Sequence, residues 1–237
     1  METLGDRPPL VAVVGTGTEV GKTHVSCTLL AAAVRAGVSC VGLKPIESGY
    51  RDDAEHDAGR LAAACAGELV EPLYRFAEAV SPHLAARRTG VEVKPGRVSD
   101  WVTEQWHRTG YQFVLVETAG GLLSPLGEGV SNMDAVAALR PDAVLLVGAD
   151  QLGVLHDVAS VLLALDGTGL SSRTVVALSA PAQNDASTGT NAAELAALGI
   201  SDAPVVFGRD SIRGPLSSAA ATTLAAKLGL PDVSRET

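Results

Sequence analysis

Short apolar runs alternate with helical patterns along almost the whole chain. Six runs rich in branched aliphatic residues end at turn-forming or charged residues, which predicts buried strands. They cover residues 10–14, 40–43, 113–116, 143–147, 174–178 and 204–207. Between them, apolar residues recur at i, i+3 and i+4, the spacing of one helix face. The predicted helices cover residues 23–36, 57–66, 100–108, 132–139, 154–165 and 191–198.

This order of elements predicts an α/β fold in three layers. Uniformly apolar strands that alternate with helices form a mostly parallel central sheet flanked by helices, and ligands collect at the carboxyl ends of its strands. No repeat, linker or shift of composition divides the chain. We therefore expect residues 1–237 to form a single domain, with flexible ends at 1–9 and 232–237 and a soft segment at 208–215.

Composition excludes several classes of protein. The 237 residues are 46% hydrophobic, too apolar for a disordered chain, and a net charge of −9 disfavours a general nucleic-acid binder. No apolar run reaches the roughly 18 residues of a membrane span. Residues 1–9 are acidic and contain proline, unlike a secretory signal. Cys27, Cys40 and Cys65 lack a paired spacing, which predicts reduced thiols and a cytoplasmic protein without membrane contact.

A glycine-rich loop joins the first predicted strand to the first predicted helix. Residues 15–23 read Gly-Thr-Gly-Thr-Glu-Val-Gly-Lys-Thr. Such a loop points backbone N–H groups at phosphate oxygens, with Lys22 on the β- and γ-phosphates and the Thr23 hydroxyl on Mg²⁺. Gly15 stands one residue earlier than the usual G-x-x-x-x-G-K-[ST] spacing requires. The alternative is a turn that only caps a helix, and the strand–loop–helix context favours a nucleotide site.

Two carboxylates are candidates for the metal that accompanies such a loop. Glu117 closes the run 113–116, and Asp57 opens a predicted helix after an acidic segment. Mg²⁺ binds one or two carboxylates and keeps several waters. Two alternatives stay open from the residues alone: Glu117 as a sheet-edge carboxylate paired with a lysine, and Asp57 as a helix N-cap.

Several blocks together resemble the dethiobiotin synthetase family, whose fold is P-loop NTPase-like. Beside the loop at 15–23, they are Lys-Pro-Ile-Glu-Ser-Gly at 44–49, Tyr-Arg-Phe-Ala-Glu-Ala-Val-Ser-Pro-His at 74–83, Glu-Thr-Ala-Gly-Gly at 117–121 and Leu-Gly at 152–153. They stand in the family's order between about residues 10 and 160, and the longer phosphate loop is itself typical of that family. Beyond about residue 180 the resemblance is thin.

The resemblance implies an ATP- and Mg²⁺-dependent cyclo-ligase of biotin biosynthesis. Its substrates would be 7,8-diaminopelargonic acid, CO₂ and ATP, with CTP or another nucleoside triphosphate as an open alternative. The amine would take up CO₂ as a carbamate, pass through a carbamic–phosphoric anhydride and close to dethiobiotin. The family also implies a homodimer with the substrate site at the subunit interface.

The same resemblance assigns roles to individual residues. The implied catalytic residues are Lys44, Lys22 and Thr18. The implied nucleotide-binding residues are Gly17, Thr18, Glu19, Val20, Gly21, Lys22, Thr23 and His24. The implied substrate-binding residues are Thr18, Lys44, Ser48, Ser81 and Gly120, with Ser81 also capping the next helix. The implied metal ligands are Thr23, Asp57 and Glu117. For Lys44, a solvated lysine at a strand end is the alternative.

The chain departs from the family at several positions. Gly17 stands where Asp is usual, Thr118 where Gly is usual, and His156-Asp157 where Asn-His is usual. His156 could replace a hydrogen bond, handle a metal or proton, or cap a helix or lie on the surface. The asparagine that normally helps to bind adenine is missing after the fifth predicted strand, where Asn184 is a possible substitute.

Other functions stay open beside the synthetase. A diverged member of the family could act on another amine or carboxylate substrate. A regulatory ATPase of the ParA/MinD kind would carry a second lysine near Gly17 or Thr18 and often a C-terminal amphipathic helix, and the sequence shows neither. A cobyrinate-type amidoligase would need a glutaminase domain, for which this chain has no room.

Overall fold

A computed structural model describes residues 7–51, 55–107, 110–209 and 215–234, with side chains from residue 218 in the last range. Residues 1–6 and 235–237 of the expected flexible ends lie outside these ranges, as do residues 52–54 of the acidic segment. The same holds for residue 108, the predicted end of a helix, and for residues 210–214 of the expected soft segment.

The central sheet is parallel and six-stranded, which confirms the predicted architecture. Its strands run in the order β10-β9-β8-β1-β5-β2. Their bounds are β1 Leu10–Gly15, β2 Cys40–Leu43, β5 Phe113–Gly121, β8 Ala143–Ala149, β9 Thr174–Ser179 and β10 Val205–Phe207. All six predicted strands are in this sheet, and β5 extends five residues beyond its predicted end because the Glu-Thr-Ala-Gly-Gly segment continues the strand.

Four short strands were absent from the prediction. β3 (Ile46–Ser48) pairs in parallel with β4 (Tyr74–Phe76), and β6 (Pro125–Gly127) pairs antiparallel with β7 (Val130–Ser131). Each has only two or three residues, too few for a period-2 pattern to be distinguished from a loop. The β3–β4 pair matters for the site because β3 begins two residues after Lys44.

Eight α-helices flank the sheet in the described part of the chain. They are α1 Lys22–Arg35, α2 Asp57–Ala64, α3 Pro82–Thr89, α4 Pro95–Trp106, α5 Asn132–Leu139, α6 Val154–Asp166, α7 Asn191–Ala197 and α8 Pro215–Lys227. The prediction that α4 starts at residue 100 was wrong, since Pro95 opens it at the first helical position, which proline favours. α8 was missed because its alanine-rich sequence lacks a spaced set of large apolar residues.

The central strand β1 is buried along its whole length and forms a rigid base for the loop that follows it. Val11 and Val13 pack with residues of α1 and α8, whereas Ala12 and Val14 pack with residues of α6 on the opposite face. Successive strand residues point to opposite faces, so helices cover both sides. The first residue after β1 therefore emerges from a closely packed core.

The cysteines are free thiols inside this core. Cys27 and Cys40 are buried and Cys65 is half-buried. Burial raises the pKa of the Cys27 thiol to about 12, which suppresses the thiolate that a nucleophile requires. Within the described residues, no helix combines the length and apolar character needed to cross a membrane.

Candidate functional site

The loop between β1 and α1 is held at the carboxyl edge of the sheet by its neighbours. The Thr16 N–H donates to the Val147 carbonyl oxygen of β8 at 2.9 Å, and the Leu122 N–H donates to the Gly15 carbonyl oxygen at 3.0 Å. Gly21 has φ of 92°, and a Cβ there would lie 2.2 Å from Ser179 Oγ. Only glycine fits this position, which brings the loop against β9 just before α1 begins.

Lys22 is enclosed by the loop that precedes it. It is 6% exposed, and its Nζ donates to the Gly17 carbonyl oxygen at 3.0 Å. Burial, reinforced by the positive charge of Lys44, lowers the pKa of Lys22 to about 8. Because burial penalises an ammonium without an anionic partner, the loop holds a cation that a phosphate would stabilise strongly.

Lys44 follows β2 and bridges two carboxylates. Its Nζ donates to Asp57 Oδ2 at 2.9 Å and to Glu117 Oε1 at 2.7 Å, and Lys44 is 4% exposed. Burial acts to lower the pKa of Lys44, but the two carboxylates outweigh it and hold that pKa above its usual value. The alternative of a solvated lysine at a strand end is therefore wrong.

Glu117 is fully buried at the centre of this cluster. Thr23 Oγ1 donates to Glu117 Oε1 and Ser26 Oγ donates to Oε2, both at 2.8 Å. β5 lies between β1 and β2, so the alternative of a sheet-edge carboxylate is wrong, although its lysine partner is confirmed. Ser26 was missed, and its signal was the i, i+3 spacing from Thr23 on one helix face.

Asp57 is the first residue of α2 and faces the cluster. The N-cap is His56, whose Nδ1 accepts the Gly59 N–H at 3.1 Å, so the alternative of Asp57 as the cap is wrong. Burial acts to raise the pKa of the Asp57 carboxyl, but Lys44 outweighs it and holds that pKa below its usual value. The Thr23 hydroxyl also contacts Asp57.

The three predicted metal ligands therefore converge. Thr23 contacts both Asp57 and Glu117, which supplies one hydroxyl and two carboxylate groups around a common centre. These are hard oxygen donors of the kind that Mg²⁺ prefers, so the residues fit that ion. Among the residues with described positions, no group of three or more His, Cys, Asp and Glu side chains forms a complete metal cage. Such a donor set is suited to an ion that phosphate and water also coordinate.

The predicted substrate residues lie on four different segments, of which the start of α3 is described below. Ser48 ends β3, and its buried hydroxyl has no hydrogen-bond partner among the residues that the structure describes. Thr18 is exposed on the phosphate loop, and its Oγ1 lies 3.5 Å from the position of a Cβ on Gly120. Gly120, at φ of 77°, thus brings the end of β5 close to that loop.

Ser81 occupies the N-cap position of α3 as expected, but its hydroxyl does not cap the helix. Ser81 Oγ instead lies 2.9 Å from His83 Nδ1 on an exposed surface. The prediction that the hydroxyl caps α3 was therefore wrong, because the hydroxyl pairs with the His83 ring instead of a backbone N–H of the helix.

The remaining predicted nucleotide-binding residues lie in the phosphate loop and in the first turn of α1. Thr18 and Glu19 are exposed, whereas Val20 packs against the core. His24 Nε2 lies 3.1 Å from the Gly208 carbonyl oxygen, so this side chain links α1 to the segment after β10. Glu19 has φ of 59°, a left-handed conformation that turns the chain towards Gly21.

The departures from the family have distinct structural consequences. A Cβ on Gly17 would meet only Val20 Cγ1 at 3.7 Å among the described residues, so space remains for a side chain there. Thr118 Oγ1 donates to the Val13 carbonyl oxygen at 3.0 Å, which turns the hydroxyl into the sheet. His156 is exposed in the first turn of α6, whose N-cap is Gly153, so the cap alternative for His156 is wrong.

One buried acid beside this cluster was not predicted as a site residue. Glu47 is 6% exposed in β3 and accepts the N–H groups of Asp57 and Ala58. A single glutamate in a short apolar segment carries no sequence signal for a partner ten residues later. Only the turn of the chain into α2 brings the two together.

Comparisons with known proteins agree on one family. A family model described as an AAA domain matches residues 10–210. The chain is 40% identical over 189 residues to a protein named ATP-dependent dethiobiotin synthetase BioD from Anaeromyxobacter sp. (strain Fw109-5), covering 78% of this chain and 82% of that protein. A protein of the same name from Streptomyces coelicolor is 34% identical over 213 residues, covering 90% of this chain and 88% of the relative.

Solved structures show the same fold at greater distance. Chloroplast FtsY from Physcomitrella patens superposes with a TM-score of 0.53 at 19% identity, over 92% of this chain and 67% of that one. At this identity the likeness concerns the fold alone.

Proposed function

This chain belongs to the ATP-dependent dethiobiotin synthetase family, and we propose that its phosphate-loop site carboxylates 7,8-diaminopelargonic acid and closes the ring. Its relatives are ATP-dependent enzymes named for dethiobiotin synthesis, so the chain is a ligase of biotin biosynthesis. The proposal concerns how this site performs that reaction, with which residues and through which steps.

The observation that carries the proposal is the lysine pair at the carboxyl edge of the sheet. Lys22 lies in the phosphate loop, and Lys44 lies between Asp57 and Glu117, each lysine more than nine-tenths buried. Bringing a carbamate and a γ-phosphate together requires cations, because two anions repel each other strongly where water is excluded. Two buried lysines with mutual electrostatic contact supply those cations.

The proposed chemistry needs no protein nucleophile. One amine of the substrate adds to CO₂ and releases a proton, which gives a carbamate. A carbamate oxygen attacks the γ-phosphorus of ATP and ADP leaves, which gives the carbamic–phosphoric anhydride. The second amine then attacks the carbonyl carbon and loses a proton, phosphate leaves with the former carbamate oxygen, and the cyclic urea forms. The protein contributes positioning and charge stabilisation, the usual sources of rate in phosphoryl transfer.

Each predicted residue has a role in this scheme. Lys44 would bind the carbamate and the γ-phosphate, and Lys22 the β- and γ-phosphates. Thr23, Asp57 and Glu117 would hold Mg²⁺, which supplies neutralisation of phosphate charge when bound. Thr18, Ser48, Ser81 and Gly120 would contact the diamine or its carbamate. The buried Ser48 hydroxyl supports this assignment, because such a group normally has a partner and Ser48 has none within the described part of the chain.

The nucleotide would lie along residues 17–24. ATP is the co-substrate that the family name specifies. Asn184 is exposed in the loop after β9 and is the substitute that we propose for the missing asparagine. Because the usual asparagine is missing, we propose that selectivity for adenine over cytosine is weak in this protein. Competition between ATP and CTP for turnover would test this, and a strong preference for ATP would contradict it.

We propose a homodimer that buries one face of α6. Leu152 and Leu163 are 82% and 77% exposed, on a stretch of chain that also presents His156 and Ser160 on the surface. Large apolar side chains at such exposure favour an interface over free solvent. Leu163→Glu should convert dimer to monomer in sedimentation velocity, whereas Leu198→Glu, at an exposed residue after α7, should not.

The free thiols fit a reducing compartment, so we propose that the enzyme works in the cytoplasm.

Product formation tests the function directly. Purified protein is given the diamine, bicarbonate, Mg²⁺ and ATP, and dethiobiotin is measured by mass spectrometry. We expect product only when all four are present, and a near-complete loss in Lys44→Ala with its fold retained. Nucleotide hydrolysis that is independent of the diamine would favour a regulatory ATPase, and absence of product with an intact fold would favour a diverged substrate. Either result would overturn the proposal.

A further inference from the structure

The start of α2 is completed by a side chain from another element. A helix leaves its first N–H groups without partners inside the helix. Here the N–H of Asp57 donates to Glu47 Oε1 at 2.6 Å, and the N–H of Ala58 donates to Glu47 Oε2 at 3.2 Å. The third free N–H, that of Gly59, donates to His56 Nδ1. The Arg60 N–H then makes the first bond within the helix, to the His56 carbonyl oxygen.

Both oxygens of Glu47 are therefore used on consecutive backbone groups of α2. The side chain is largely buried, and its negative charge lies at the positive end of the helix dipole. Burial raises the pKa of the Glu47 carboxyl, and the two N–H groups offset part of that cost. The nearest charged neighbours that face it are Asp57 and Lys44, and His56 Nδ1 lies 3.8 Å from Oε2.

Glu47 also connects two parts of the site through β3. It lies three residues after Lys44 and directly before Ser48. The preceding residue of the same strand, Ile46, is packed in the core. Asp57 comes ten residues after Glu47 in the sequence, and residues 52–54 between them lie outside the described ranges. The bond from the Asp57 N–H to Glu47 is thus a direct tie between the lysine-bearing segment and the carboxylate that Lys44 contacts.

We propose that Glu47 is a positioning residue: it fixes the first turn of α2 so that the Asp57 carboxylate faces the metal and Lys44. This inference rests on the proposed role of Asp57 as a ligand of Mg²⁺. Without the two carboxylate acceptors, the N–H groups of Asp57 and Ala58 lose their partners and the first turn frays. The Asp57 side chain then loses its fixed direction. The phosphate loop keeps its conformation, because β1, β8 and β9 hold it.

The test measures metal binding rather than turnover. Mn²⁺ is titrated by electron paramagnetic resonance against protein saturated with a non-hydrolysable ATP analogue, and binding of the analogue without metal is measured separately by calorimetry. The variants are Glu47→Ala, which removes both acceptors, and Glu47→Gln, which keeps one acceptor oxygen. Glu68→Gln is the matched control, since Glu68 is exposed just beyond the other end of α2.

We expect Glu47→Ala to weaken Mn²⁺ binding about tenfold or more, the loss typical of residues that orient metal ligands. Glu47→Gln should lie between Glu47→Ala and wild type, and the control should match wild type. Binding of the metal-free analogue should stay within about twofold in all three, because bonds to β8 and to the end of β5 hold the backbone of the phosphate loop. If Glu47→Ala does not fold, the same comparison is read from Glu47→Gln.

Two results would overturn the inference. Unchanged Mn²⁺ affinity in both Glu47 variants would show that Asp57 needs no such support. An equal loss of metal-free analogue binding would show a general loosening instead of an effect on the metal ligand. A wild-type protein that binds Mn²⁺ with the analogue but forms no dethiobiotin would refute the proposed function and leave the Glu47 result to stand separately.

Discussion

Lys22 holds its positive charge weakly in the ligand-free protein. It is buried, its Nζ donates to the Gly17 carbonyl oxygen, and its pKa is lowered to about 8 chiefly by burial, with a contribution from Lys44. The folded pKa lies below the ordinary value of 10.5, so the unfolded chain binds more protons between these two values. Lys22 therefore makes the ligand-free fold more stable as the pH rises through this window.

Nucleotide binding should reverse this shift. The β- and γ-phosphates favour the ammonium form, so binding at pH 8.5 should be accompanied by uptake of more than about half a proton per site. Calorimetry in two buffers with different ionisation enthalpies measures this number. Lys22→Arg, whose guanidinium stays charged, should show no uptake. Equal enthalpies for wild type in both buffers at pH 8.5 would contradict the assignment of Lys22 to the phosphates.

Individual site residues differed in how far they could be predicted. Lys22 and Thr23 stand in a contiguous motif, so their proximity follows from covalent spacing. Lys44 and Glu117 each follow the last residue that pairs between the neighbouring strands β2 and β5, so the strand pairing alone brings them together. Glu47 could not be predicted, because no local pattern indicates its contact with Asp57, ten residues later.

At the scale of elements, the phosphate loop depends on glycines in different degrees. Gly21 combines a positive φ with a contact that leaves no room for Cβ, since Ser179 Oγ would lie 2.2 Å away. Gly17, four residues earlier, has an ordinary backbone conformation and open space. Glycine is therefore obligatory at Gly21 and replaceable at Gly17.

This contrast predicts that substitution by alanine destabilises the fold at Gly21 but not at Gly17. Gly21→Ala should destabilise the fold by at least about 2 kcal/mol, from backbone strain and the clash with Ser179. In a domain of this size that lowers the melting temperature by about 4 °C or more. Gly17→Ala should leave it nearly unchanged. Differential scanning calorimetry compares the two, and equal melting temperatures would show that β9 does not constrain the loop.

Elements with long periodic patterns were predicted well, and short or alanine-rich ones were not. The six strands of the main sheet are rich in branched aliphatic residues, a signal that can be read without tertiary information, and only the edge strand β10 has an exposed residue, Val206. β3 has three residues and owes its existence to pairing with β4, twenty-eight residues later at Tyr74. α8 is held by packing Ala221, Leu224 and Ala225 beside α1, with no strong periodicity of its own.

The whole molecule has a net charge of −9, but its candidate site contains two buried positive charges. Lys22 and Lys44 are buried together at the carboxyl edge of the sheet, and three acids, Glu47, Asp57 and Glu117, surround them. Two of these acids compensate Lys44 in the absence of ligand, and the third supports α2. Under the proposed function, phosphate, carbamate and metal would replace the ion pairs that Lys44 makes with Asp57 and Glu117.

The central claim is that a carbamate oxygen is transferred to phosphate at this site, and one isotope measurement tests it most directly. The reaction is run with C¹⁸O₂ for times short compared with its exchange with water, and the phosphate and dethiobiotin are analysed by mass spectrometry. The account predicts a single ¹⁸O in the phosphate and a single ¹⁸O in the urea carbonyl of dethiobiotin. Phosphate without label, beside labelled dethiobiotin, would contradict it.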